Sequence, residues 1–161
     1  MRDVFYDLFA DAVAAEEWGN KFYVRANEIS NSALAKVVLI GLAEDELKHK
    51  VAIGRFCKKK NVMPKSVASE VFRLPVRDLR RQITAFTPVD QVIKFALKFE
   101  RQGYNYYSKL RSKTKDKKAL KLLDFLIGQE NAHYKLLSGT LAYLTKPAEW
   151  FAQEEKPIAE G

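Results

Sequence analysis

Two histidines occur in this chain of 161 residues, and each has a glutamate three positions before it: Glu46-Leu47-Lys48-His49 and Glu130-Asn131-Ala132-His133. A further glutamate lies thirty residues ahead of each motif, Glu16 before Glu46 and Glu100 before Glu130. Those upstream residues open a second shared pattern, Glu16-x-x-Gly19-x-x-Phe22-Tyr23 and Glu100-x-x-Gly103-x-x-Tyr106-Tyr107. Every correspondence has the same offset of 84 residues, and elsewhere the halves share only scattered apolar matches such as Leu42 with Leu126. From glutamate's share of the chain, both histidines acquire this neighbour by chance with a probability of about 0.006. The common upstream separation lowers that figure further.

Four carboxylates and two imidazoles brought together suit one kind of chemistry. Buried carboxylates repel one another or take up protons. Two divalent cations balance four carboxylate charges, each imidazole supplies one neutral nitrogen, and carboxylate oxygens can bridge two ions. The candidate metal ligands are therefore Glu16, Glu46, His49, Glu100, Glu130 and His133. Tyr23 and Tyr107 stand seven residues beyond Glu16 and Glu100. They are either hydrogen-bond donors to ligand carboxylates or plain core aromatics. Gly19 and Gly103 weaken helix interiors unless something needs the space, for close packing or beside the metals. Glu17, Glu44 and Asp45 read as solvated, with Glu44 paired to Lys48 four residues on.

The elements that must position these residues are helices. Apolar positions recur at three- and four-residue spacing through Val4, Leu8, Ala12, Ala15, Gly19, Phe22, Ala26 and Ile29, predicting a helix over about 3–29. "ISNS" then supplies an N-cap for a second helix, about 32–60, which "KKKNVMPKS" ends with positive charge and a proline. In "TPVD", Thr87 is expected as N-cap and Pro88 as the first helical residue of a third helix, about 88–111. "SKTKDKK" separates it from a fourth, about 116–144, and "KPAEWF" predicts a short C-terminal helix in the tail 145–161. The connection at 61–87, with a short helix in "VRDLRRQITAF", is long enough for a crossover between two tight hairpins. The whole chain, 1–161, reads as one all-α domain, a four-helix bundle. The midpoints of Glu16 with Glu46 and of Glu100 with Glu130 fall inside the two turns, so each hairpin sets its glutamates level. Residues three apart share a helix face. Glu46 with His49, and Glu130 with His133, therefore point together into the bundle.

Composition narrows the function classes. No run of 18 apolar residues argues for a membrane span, and no secretory leader is visible. Cys57 is the only cysteine, so neither a disulfide framework nor a CxxC knuckle is expected, and a cytoplasmic location is the default. The net charge of +8 suits nucleic acid or an acidic protein partner. The lysines and arginines between Lys94 and Lys121 read as a solvated helix face, and nucleic acid is not an expected partner.

With these motifs in place the chain resembles the rubrerythrin branch of the ferritin-like superfamily, over about residues 5–145. The resemblance implies a ferritin-like bundle in which the six residues ligate two iron ions, Glu46 and Glu130 bridging. The ligand set also admits manganese or a mixed pair, and zinc as a substitute. It implies reduction of hydrogen peroxide, or of dioxygen, by the diferrous state, each iron giving one electron. Full rubrerythrins append a rubredoxin domain with two CxxC knuckles. With no such knuckle here, the donor is expected to be a separate protein such as a rubredoxin, and the protein a homodimer. Rubrerythrins also carry another glutamate one turn after the third-helix ligand, where this chain has Gly103. A more symmetric site with His49 a permanent ligand is therefore expected. Two alternatives use the same residues differently. One is a ferroxidase that stores or delivers iron; the other is a basic, nucleic-acid-protecting protein with a secondary metal site.

Overall fold

The structure is a computed structural model that describes residues 4–63 and 83–154. Its elements are α1 (Val4–Ile29), α2 (Ala33–Lys59), α3 (Val89–Ser112), α4 (Lys117–Thr145) and α5 (Pro147–Glu154), with no strand among the described residues. Helix α1 packs along α2 and α3 along α4, and the two hairpins meet chiefly through α2 and α4. This is the expected four-helix bundle with a short helix after Pro147. Most of the connection at 61–87, including the short helix expected in "VRDLRRQITAF", lies outside the described residues, as does the end of the tail.

Local chemistry sets the helix ends. The Ser32 side chain accepts the Ala35 N–H at 3.2 Å, capping α2. The same helix ends in a Schellman motif. Asn61 adopts φ 55°, its N–H reaches the Lys58 carbonyl, and the Val62 N–H reaches that of Cys57 at 2.9 Å. Asp116 caps α4 by accepting from the Lys118 and Ala119 N–H groups at 2.8 and 3.1 Å. Its other oxygen takes hydrogen bonds from Tyr6 of α1 and from Lys60. One carboxylate thus joins the second turn to the outer end of the first hairpin. The start of α3 differs from expectation. Pro88 is the cap and Val89 the first helical residue, while the Thr87 hydroxyl accepts the N–H of Thr84. That hydroxyl closes a local turn instead of capping the helix, and the Pro88 carbonyl begins the helical ladder through Val92.

Between the hairpins lies the core. Phe9, Ala12, Ala15, Phe22 and Ala26 of α1 are buried against Ala35, Leu39, Leu42, Ile53 and Phe56 of α2. Ile93, Ala96, Phe99, Leu123, Leu126 and Leu137 close it from the second hairpin. Small residues on α1 let the helices approach, and the aromatic rings fill the wider levels. Trp18 stacks on Phe22 with centroids 5.5 Å apart, and Phe22 contacts Phe95 of α3 at 5.0 Å. Each ring pair of this kind adds about 0.5–1.5 kcal/mol beyond its area burial. Cys57 is buried with no partner cysteine, and burial pushes its thiol up to about 11. No described helix is long and apolar enough to cross a membrane.

Candidate metal centre

Amid this apolar packing sit six ionisable side chains. Glu16, Glu46, His49, Glu100, Glu130 and His133 are each no more than 4% exposed. Helix α1 supplies Glu16, α2 supplies Glu46 and His49, α3 supplies Glu100, and α4 supplies Glu130 and His133. The structure brings all six together as two clusters, Glu16–Glu46–His49–Glu130 and Glu46–Glu100–Glu130–His133. Within each cluster one donor atom per residue lies inside 4.8 Å of every other. Glu46 and Glu130 belong to both.

Each histidine meets the upstream glutamate of its own hairpin. His49 Nδ1 is 3.3 Å from Glu16 Oε2, and His133 Nδ1 is 3.2 Å from Glu100 Oε2. The two imidazoles are nearly parallel, with centroids 5.5 Å apart. Both candidate tyrosines do contact the site, by a route that spacing did not reveal: each crosses to the other hairpin. The Tyr23 hydroxyl of α1 donates to Glu100 of α3, and the Tyr107 hydroxyl of α3 donates to Glu16 of α1.

Crowding four carboxylates in a dry interior has electrostatic consequences. Burial first, and the neighbouring carboxylates next, push Glu46 and Glu130 well above the ordinary carboxyl value. Burial also acts to raise Glu16, but its hydrogen bond and charge interaction with His49 outweigh that and carry it below. Burial acts to lower His133, yet the Glu100 and Asp45 carboxylates carry it upward. Tyr23 and Tyr107 are raised far above a free phenol by burial and by the adjacent glutamates, so both keep their protons and remain donors.

Do these residues fit metal ions? Glu46 Oε1 and Glu130 Oε1 are buried and accept no hydrogen bond from the described residues, an arrangement that costs a protein free energy unless a cation meets those oxygens. They belong to the two glutamates that both clusters share. The donor set of hard carboxylate oxygens and borderline imidazole nitrogens suits iron or manganese and admits zinc. The site fits a pair of divalent ions.

Gly19 and Gly103 make room for those shared glutamates. A Cβ on Gly19 would stand 2.7 Å from Glu46 Oε2 and 2.7 Å from the Phe99 ring. On Gly103 it would stand 2.9 Å from Glu130 Cδ. Any other residue would push the carboxylates aside. At Gly103, where the resemblance places another glutamate in rubrerythrins, the space is taken by Glu130 itself.

A surface cavity of about 110 Å³ is lined by Arg101, Tyr104, Glu130, Asn131 and Tyr134. Arg101 lies over the Tyr134 ring, 5.0 Å from its centroid, and hydrogen-bonds its hydroxyl. A larger cavity beside Phe86 and Pro88 is remote from the six residues. The sequence pattern predicts Asp45 in solvent, with Glu44 paired to Lys48. Instead Asp45 binds Lys48 at 2.7 Å through one oxygen and lies 3.3 Å from His133 Nε2 with the other. A position adjacent to Glu46 was the only hint of this, since the contact depends on how α2 is turned toward α4. Arg101, Tyr134 and Phe125, whose ring stands perpendicular to the His49 imidazole with centroids 5.9 Å apart, carried no signal in the sequence.

Two hairpins that hold a Glu/His cluster pair at mid-bundle define a ferritin-like four-helix protein. Solved structures share this fold. A dodecameric thioferritin, the bacterioferritin-related protein of Bacteroides fragilis, aligns with TM-score 0.73 and 17% identity over 97% of this chain and 93% of its own. A hypothetical protein of Pyrococcus furiosus aligns with TM-score 0.68 and 20% identity over 87% and 89%. The ferritin of M. penetrans gives 0.72 and 14% over 92% and 89%. The chain belongs to the rubrerythrin family, whose sequence profile matches residues 7–141, a span containing all six clustered side chains. A comparison with curated proteins finds no significant match.

Proposed function

We propose that this protein is a binuclear iron oxidoreductase that reduces hydrogen peroxide, or dioxygen, at the Glu/His centre. The observation that carries this reading is the sharing of Glu46 and Glu130 between two buried clusters, each with a buried oxygen that accepts no hydrogen bond from the described residues. Glu16 and His49 would hold one ion, Glu100 and His133 the other, and Glu46 and Glu130 both. A diferrous pair bound there supplies two electrons, one per iron, which with two protons convert peroxide to two waters. Tyr23 and Tyr107 hold protons at the edge of the site and keep Glu100 and Glu16 oriented. Phe99 and the leucine layers exclude bulk water.

The cavity at Glu130 suits a small oxidant. Its volume of about 110 Å³ accommodates peroxide and water. Arg101 lines this cavity and adds positive charge beside it, which leaves a small neutral oxidant unaffected. On that ground we prefer peroxide reduction to ferroxidase activity with iron storage, the alternative reading; two of the structural neighbours carry ferritin names. Electrons would come from a separate, acidic redox protein. A groove between α2 and α4 suits its docking: Arg55, Lys59, Lys118 and Lys121 ring an apolar floor that includes Phe125, the ring against His49. We further assign a homodimer contact to the apolar row that α2 exposes, Val37, Ile40, Leu47 and Val51.

Anaerobic loading with Fe²⁺ followed by stopped-flow mixing with peroxide tests the assignment. Two irons per chain, oxidised by one equivalent of peroxide faster than by dioxygen, support it. Iron that reacts no faster than free Fe²⁺ overturns it. Gel filtration at the size of a closed multisubunit shell would favour storage.

A further inference from the structure

Because the two halves repeat at a spacing of 84 residues, each contact in one half has a counterpart to examine in the other. The inner contacts repeat closely. Each histidine turns Nδ1 toward its hairpin's glutamate, at 3.3 Å for His49 and 3.2 Å for His133. Each upstream glutamate also receives a tyrosine hydroxyl from across the bundle.

The outer contacts do not repeat. His133 Nε2 lies 3.3 Å from Asp45 Oδ2, while His49 Nε2 is buried with no hydrogen-bond partner among the described residues. Gln129 occupies the position corresponding to Asp45, and its amide does not reach His49. The covering groups differ as well. The Phe125 and His49 rings stand perpendicular, with centroids 5.9 Å apart and an interplanar angle of 89°. Its counterpart is Gly41, where an added Cβ would meet nothing within 4 Å. One imidazole has a carboxylate behind it, and the other has an aromatic ring, which offers no anionic acceptor.

This difference bears on metal binding. With Nδ1 facing the carboxylates, ligation uses Nδ1, and a neutral ring then carries its proton on Nε2. At His133 that proton has an anionic acceptor, which fixes tautomer and ring orientation and makes the nitrogen a better donor to a metal. The acceptor is itself steadied, because Lys48 holds its other oxygen at 2.7 Å. At His49 that proton has no hydrogen-bond acceptor among the described residues.

We propose that the two metal positions are inequivalent: the His133 position is the tighter one, with Asp45 as its positioning residue, and the His49 position is the weaker. This rests on the metal centre proposed above. Stepwise binding alone is not diagnostic, since repulsion between two bound cations also separates the steps, so the test depends on variants. Calorimetric titration of the metal-free protein with Zn²⁺ is expected to show two steps. Asp45→Ala should weaken the tighter step by about 10–100-fold and leave the weaker one in place. Asp45→Asn keeps a neutral acceptor and should fall between. Gln129→Asp, which places a carboxylate behind His49, should strengthen the weaker step.

The chain's two histidines allow a second reading of the same samples. In zinc-loaded, ¹⁵N-histidine-labelled protein, one Nε2–H resonance should be shifted downfield and protected from exchange. Asp45→Ala should move that resonance alone, which a general loss of stability would not do. Two imidazoles that behave alike, or an Asp45→Ala variant that changes neither step, would overturn the inference while leaving the metal centre intact. Failure of the wild-type protein to bind any metal would overturn both.

Discussion

Replacing Gly103 by alanine separates helix stability from metal binding. Within α3 the change removes a glycine from a helix interior, a gain of about 1 kcal/mol from backbone entropy. Against it stands the new Cβ, which would lie 2.9 Å from Glu130 Cδ, well inside ordinary van der Waals contact. The atom it meets belongs to a side chain and not to backbone, so Glu130 swings aside, and the metal-free fold tolerates the substitution. The net change in metal-free stability should fall between zero and about 1 kcal/mol, equal to a rise in Tm of at most about 2–4 °C for a chain of this size. The displaced carboxylate, however, is one of the two shared between both clusters. Its loss of position should weaken metal binding at least as much as losing a ligand-orienting partner does, about 10–100-fold. Thermal melts of the metal-free protein and calorimetric Zn²⁺ titration read the two effects separately. Gly128→Ala in α4, where a Cβ meets nothing within 4 Å, is the control, expected to gain stability with no change in metal affinity. Gly103→Ala protein that binds Zn²⁺ as tightly as the wild type would refute the claim that this glycine makes room for Glu130.

Gly19→Ala should behave differently. Its Cβ would meet the packed Phe99 ring at 2.7 Å as well as Glu46, so the metal-free protein should lose about 1–3 kcal/mol, seen as a lower Tm. Tyr107→Phe leaves the buried Glu16 carboxylate without its hydroxyl donor and should cost about 1–3 kcal/mol in denaturant unfolding, as should Tyr23→Phe through Glu100. Stability of the metal-free protein should decline with rising pH. Glu46 and Glu130 are raised in the folded state, so their contribution is complete below the unfolded value of 4.5 and is lost as pH climbs through the folded values. His133, also raised, acts in the same direction above 6.5, whereas Glu16, being lowered, contributes stability above 4.5 that disappears as pH falls. Metal loading should reverse the trend, since bound cations require ionised carboxylates; melts at several pH values with and without Zn²⁺ provide the comparison, and parallel curves would contradict it. Asp116→Ala removes the α4 cap together with the links to Tyr6 and Lys60, and should lower stability by at least the cap's typical value of about 1 kcal/mol, again by denaturant unfolding.

Much of this architecture was legible as spacing. Apolar recurrence, the serine before α2 and the basic end of that helix placed the described helices within a residue or so of where they lie. The duplicated Glu-x-x-His with level upstream glutamates identified the six side chains that now converge. Both inferences concern residues on one helix, or on two helices joined by a short turn, where a rise of 1.5 Å per residue and 3.6 residues per turn fix face and height. The misread start of α3 belongs to a different class: Thr87 had a competing local partner, the Thr84 N–H, that propensity does not rank.

The amino-acid order by itself determined which residues share a helix face and which stand at the same level in each hairpin. How the two hairpins are turned against each other was decided only in the tertiary structure. That rotation sends Tyr23 to Glu100 and Tyr107 to Glu16, presses Glu130 into the space left by Gly103, and aims Asp45 at His133 while leaving His49 against Phe125. The physical reason is that helical periodicity is a property of one backbone. Contacts between helices depend on how all the side chains of the core interlock at once, and no single stretch of sequence carries that information.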